Sequence, residues 1–86
     1  MKPIMYVKPG CPWCKLARDF FSDRGVDLEE RDVISDKAAW TRMEEISGQT
    51  KTPTLEYGDF VVADFDPDEF MAAVDKKPEI KKALGL

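Results

Sequence analysis

The 86-residue sequence contains no histidine and only two cysteines. The first absence excludes a Cys–His nucleophilic pair and any zinc site built on imidazole. The second leaves Cys11 and Cys14 as half of a four-ligand structural zinc site at most, with the rest to come from carboxylates or a second chain. Long apolar runs are lacking as well. The start of the chain offers only Ile4-Met5-Tyr6-Val7, too short for the apolar core of a secretion signal or for a membrane span. With no targeting segment in sight, the expected compartment is the cytoplasm. Thiols are kept reduced there, and a lone cysteine pair is more often catalytic or metal-binding than a structural staple. An excess of positive charge is also missing. Against 17 Asp and Glu stand 13 Lys and Arg, a net charge of −4, which argues against a nucleic-acid partner.

What is present is the composition of a folded chain. Hydrophobic residues make up 43% and charged residues 35%, and the apolar ones recur in regular segments. The length predicts one domain over residues 1–86 with a small core, and a monomer is the expected state. A chain of this size buries only about 60% of the surface that it exposes when unfolded.

Ile4 to Val7 reads as a buried strand, stopped by Lys8-Pro9-Gly10. Residues 12–24 read as a helix whose apolar stripe is Leu16, Ala17, Phe20 and Phe21, with Gly25 as its left-handed terminator. Residues 26–33 form a second strand. Its charges, Glu29, Glu30, Arg31 and Asp32, place it at a solvated edge. Ser35 or Asp36 caps a second helix running to about Ser47, with Ala39, Met43 and Ile46 inward and Gly48 at its end. Thr54 to Tyr57 and Phe60 to Ala63 form a hairpin around Gly58-Asp59. Asp66-Pro67-Asp68-Glu69 carries the capping-box pattern of a third helix, and Phe65 can staple onto Phe70. Pro78 starts a short last helix. The order β-α-β-α-β-β-α predicts an α/β fold: a four-stranded mixed sheet with helices on both faces, its first two strands parallel and joined by a right-handed crossover.

Cys11-Pro12-Trp13-Cys14 falls where the first strand gives way to the first helix. Cys11 is then the N-cap, Pro12 the first helical residue and Cys14 the third. Unpaired N–H groups and the positive end of the helix face the Cys11 sulfur and favour thiolate over thiol. Lys8, three residues upstream, adds a positive charge that favours the same form. One helical turn on, Cys14 faces the same side and lies deeper. These placements predict attack by Cys11 on a disulfide and resolution by Cys14. Two buried, inert cysteines or a metal half-site are the blander readings of the same motif; no metal ligand is assigned.

Two segments carry a family resemblance. Lys8-x-x-Cys11-Pro12-Trp13-Cys14 resembles the glutaredoxin active site, and Ser47-Gly48-Gln49-Thr50-Lys51-Thr52-Pro53 resembles the glutaredoxin segment that ends in a cis proline. The likeness covers nearly the whole chain up to the third helix. It implies a thioredoxin fold and a cis bond at Thr52-Pro53, where the residue types alone suggest a trans proline opening a strand. It also implies that the Thr52 backbone pairs with substrate, and that Lys8, Trp13, Gln49, Pro53 and Asp66 lie along a groove for glutathione. Asp66 also explains itself as a helix cap.

Ala63-Asp64 stands where glutaredoxins usually carry Gly-Gly, so a Cβ and a carboxylate occupy space that glycine leaves open. Gly58-Asp59 and Phe65-Asp66-Pro67-Asp68 resemble the glutaredoxin-like hydrogen donors of ribonucleotide reductase, which are recharged by thioredoxin reductase. The resemblance therefore implies a thiol–disulfide oxidoreductase acting on protein or glutathione mixed disulfides, with glutathione as co-substrate and no permanently bound cofactor. A thioredoxin-reductase-dependent electron donor is the alternative, and an iron–sulfur-binding glutaredoxin is a second one.

Overall fold

The computed structural model describes residues Met1–Leu86. The elements follow in the order β1 (Ile4–Val7), α1 (Pro12–Asp23), β2 (Glu29–Asp32), α2 (Lys37–Ser47), β3 (Thr54–Tyr57), β4 (Phe60–Ala63), α3 (Pro67–Asp75) and α4 (Pro78–Leu84). The sheet order is β2-β1-β3-β4. β1 runs parallel to β2 and antiparallel to β3, and β3 pairs antiparallel with β4. The expected α/β architecture is therefore present, with the apolar β1 inside and the charged β2 at an edge.

Side chains of β1 alternate between two cores, as the strand period requires. Met5 and Val7 join Cys14, Ala17, Phe20, Phe21, Leu55, Phe65, Phe70, Val74 and Leu84 on the α1–α3 face. Ile4 and Tyr6 point to the α2 face, where Val33, Ala39 and Met43 complete a much smaller cluster. The first core is dominated by aromatic edges. The Phe70 ring lies 4.9 Å from Phe21, 5.3 Å from Phe65, 6.1 Å from Phe20 and 6.2 Å from Phe60, centre to centre. Such tilted and edge-on pairs add to the area the rings bury.

The α2 face is partly polar. Tyr6 donates from its hydroxyl to Glu56 Oε1 at 2.7 Å, and Arg42 reaches Glu56 Oε2 at 2.6 Å. Burial alone would raise the Glu56 carboxyl, but the hydrogen bonds from Arg42 and Tyr6 outweigh it and hold the group below its usual range. Burial, reinforced by the bond to Glu56, pushes the Tyr6 phenol up to about 12.

Three expectations need correction. Leu16 is 48% exposed, and the place it was given on the α1 stripe belongs to Cys14, which with Ala17 and Phe21 lies at i, i+3 and i+7. The second strand covers four residues rather than eight. β1 offers only four partners, Ile4 to Val7, so the ladder ends there while Val26 and Leu28 pack against the main core outside it. Helix α1 ends at Asp23, with Arg24 as its C-cap. The caps of the other helices fall as read. Asp36 accepts from the Ala39 N–H, Gly48 takes a φ of 68° beyond α2, and Asp66 and Glu69 form the reciprocal box.

Candidate active site

The turn from β1 into α1 places the two cysteines. Cys11 is the N-cap, in extended conformation, and its sulfur accepts the Cys14 N–H at 3.1 Å. Pro12 follows at the first helical position, where no N–H is needed. Cys11 and Cys14 are joined in a disulfide. Cys14 is 1% exposed and belongs to the main core, whereas Cys11 is only half-buried. The two sulfurs thus differ in access, with Cys11 the outer one.

Across from Cys11 stands the loop between α2 and β3. Its Thr52–Pro53 bond is cis, as the resemblance implied. The Thr52 hydroxyl donates to Cys11 Sγ at 3.5 Å, and the Thr52 carbonyl oxygen lies 3.8 Å from the same sulfur. Gln49 braces this loop from within. Its amide nitrogen donates to Ser47 Oγ and Thr54 Oγ1, and its amide oxygen accepts the Lys51 N–H at 2.6 Å. The structure therefore gathers Cys11, Cys14, Thr52 and Pro53 at one point and sets Gln49 behind them.

Lys8 and Asp66 fall on separate sides of that point. Lys8 lines an opening with Cys11, Pro12, Lys15 and Arg18. The Lys8 ammonium donates to the Thr50 carbonyl at 2.8 Å and sits 5.4 Å over the centre of the Trp40 ring. Trp13, 53% exposed, lines a second opening with Asp64, Phe65, Asp66 and Glu69. Asp66 accepts the Glu69 N–H at 2.7 Å as a helix cap. Asp64 takes a φ of 51°, a left-handed conformation that glycine adopts freely and aspartate adopts at some cost. Its carboxylate lies 3.9 Å from the Lys51 ammonium. Trp40 and Thr50 were missed by sequence reasoning. No short-range pattern links them to Lys8, because the contact closes only when α2 packs beside β1.

A Cys-x-x-Cys at a strand-to-helix turn, facing a cis proline on a sheet of order β2-β1-β3-β4, defines a thioredoxin-like thiol–disulfide oxidoreductase. The chain belongs to the glutaredoxin family, whose model, described as Glutaredoxin, matches residues 4–62. A glutaredoxin of Neisseria meningitidis is 32% identical over 62 residues, covering 71% of this chain and 73% of the relative. An uncharacterized glutaredoxin-like 8.6 kDa protein in the rubredoxin operon of Clostridium pasteurianum is 24% identical over 72 residues, covering 84% of this chain and 96% of its own length. Among solved structures, a thioredoxin-like protein superposes with a TM-score of 0.76 at 32% identity, covering 85% of this chain and 99% of that one. A glutaredoxin from Archaeoglobus fulgidus shares the fold, with a TM-score of 0.74, 24% identity and 85% coverage of both chains.

Proposed function

We propose that this chain reduces protein disulfides or glutathione mixed disulfides in the cytoplasm by dithiol exchange, recharged by glutathione. The observation that carries this reading is the pairing of an accessible Cys11 sulfur, capped by the Cys14 N–H and the Thr52 hydroxyl, with a buried Cys14 directly beneath it. In the reduced protein the same donors stabilise a Cys11 thiolate. That thiolate attacks one sulfur of the substrate disulfide, forms a mixed disulfide and expels the other sulfur as a thiolate, which takes a proton. The Cys14 thiolate then attacks the Cys11 sulfur, releases the second substrate thiol and leaves Cys11–Cys14 oxidised. Two electrons from the thiol reductant restore the pair.

The other site residues support that cycle. The Thr52 N–H donates to no group within the chain, which leaves it free to pair with an extended substrate. Lys8 supplies a cation beside the pair, and Trp13 and Asp66 line a side of the substrate path. Gln49 enters through the loop that it braces. Within this single chain no three His, Cys, Asp or Glu side chains converge on one point, whereas a cluster shared between two copies would ask each for Cys11 alone, with glutathione as the other ligand.

One observation favours a second reductant. Asp64 puts a Cβ and a carboxylate beside the second opening, where the anionic tripeptide would lie. This supports recharging by thioredoxin reductase instead. An NADPH-oxidation assay on a mixed-disulfide substrate separates the two. One arm holds glutathione with glutathione reductase, the other thioredoxin reductase. Turnover in the glutathione arm alone is the expected result, and turnover in the other arm alone replaces it with the second reading. Cys11→Ser should silence both arms; residual turnover would overturn the assignment of Cys11 as nucleophile.

A further inference from the structure

We propose that Trp40 is a positioning residue for the thiol chemistry: its ring, together with the Thr50 carbonyl, holds the Lys8 ammonium beside the redox pair and so sets the pH range over which Cys11 reacts. This rests on the reading of Cys11 as nucleophile and of Lys8 as its neighbouring cation.

A free lysine side chain samples many rotamers, and its charge is then spread over a wide volume. Here two contacts remove that freedom. The ammonium donates to Thr50 O at 2.8 Å, and the indole face of Trp40 lies 5.4 Å below it. Both fall within the range at which a cation is attracted to a carbonyl and to an aromatic quadrupole. The ring itself is packed. Trp40 is half-buried against the Tyr6–Val33–Ala39–Met43 cluster, and its backbone N–H is tied to the Asp36 carbonyl at the start of α2. Thr50 and Thr52 lie two residues apart on one braced loop. The first accepts from Lys8, and the second touches the Cys11 sulfur. Lys8 shares its opening with Cys11, and the place of its ammonium there depends on α2 and the loop as well as on Lys8 itself.

The other charged groups around Cys11 are largely committed. In the opening shared with Lys8, Lys15 pairs with Asp19 at 2.7 Å and Arg18 pairs with Glu30 at 2.7 Å. From the loop, Lys51 faces Asp64 at 3.9 Å. On the α3 side, Asp66 and Glu69 satisfy each other's backbone in the capping box. Lys8 is the cation of this group with no carboxylate partner within ion-pair distance.

The test is the pH dependence of Cys11 alkylation by iodoacetamide in the reduced protein, followed by mass spectrometry. Lys8→Met should raise the midpoint by about half a pH unit, or about threefold slower alkylation below the midpoint. Trp40→Leu should move it in the same direction by less, because Thr50 remains. Trp40→Phe should fall between Trp40→Leu and wild type, since phenylalanine keeps a weaker aromatic face. In a Lys8→Met background neither Trp40 change should add a further shift. A midpoint moved by Lys8→Met and untouched by both Trp40 variants overturns the positioning role alone. A shift from Trp40 changes that persists without Lys8 also overturns it, because the ring then acts through the fold. An unmoved midpoint in Lys8→Met removes the Lys8 assignment and this inference together, while loss of all reactivity only in Cys11→Ser keeps the nucleophile in place. If Trp40→Leu fails to fold, Trp40→Phe with and without Lys8→Met decides the question.

Discussion

The two faces of the sheet are built on different physics. On the α1–α3 face an apolar core of eleven residues, four of them phenylalanine, closes over Cys14. On the α2 face the apolar cluster has four members, and much of the contact is made by the Tyr6–Glu56–Arg42 network and by Lys8 on Trp40. Hydrophobic contacts are indifferent to proton concentration, while paired charges are not. The first face therefore anchors the buried sulfur, and the second carries the paired polar and charged groups.

The sharpest way to break the comparison is Phe70→Ala. This ring touches four others, and its removal should cost about 3–5 kcal/mol, a large part of the stability of a small chain. Chemical denaturation measures the loss, and a change below about 1 kcal/mol would mean that the aromatic face is not the main anchor.

On the opposite face, Glu56→Gln should cost about 1–2 kcal/mol at neutral pH, because the buried carboxylate loses the charge-assisted part of its bonds, while half-exposed Arg42 turns to water. It should also flatten the acid limb. The folded-state carboxyl of Glu56 is held below its unfolded value, so its stabilisation is present above about pH 4.3 and fades as pH falls through the lower folded value. Denaturation midpoints between pH 7 and pH 3 check this, and parallel curves for wild type and variant would count against it.

The smallest effect is Tyr6→Phe, about 1 kcal/mol from one lost hydrogen bond. Because the folded phenol is raised to about 12, its contribution is complete below about pH 10 and is lost as pH climbs through the folded value. A stability profile on the alkaline side should show that loss in wild type and not in the variant.

Local chemistry was legible in the residues, and long-range pairing was not. Asp66-Pro67-Asp68-Glu69 announced a helix start because every group it needs lies within four positions. Gly58-Asp59 announced a hairpin for the same reason. The Cys11 cap followed from a strand and a proline placed side by side. Glu56, by contrast, reads as one more charged strand residue, because the tyrosine that pairs with it lies 50 positions earlier. Trp40 lies within the second helix and off the inward stripe of Ala39, Met43 and Ile46, and only the packing of α2 brings it under Lys8. Leu16 failed as a core residue because a stripe of four apolar positions does not say where its centre lies, and the centre here includes a cysteine. The left-handed turn at Asp64 left only a faint trace, in that aspartate tolerates a positive φ better than most residues and stands where the family usually has glycine.

The two cysteines of the pair are also the whole cysteine content of the chain. Counting free thiols on the intact polypeptide therefore has two endpoints, none and two. Any molecule that scores one has its other sulfur bonded to something else, and its excess mass identifies what. The protein carries its own gauge of where it stands in a catalytic cycle, readable without label or tag.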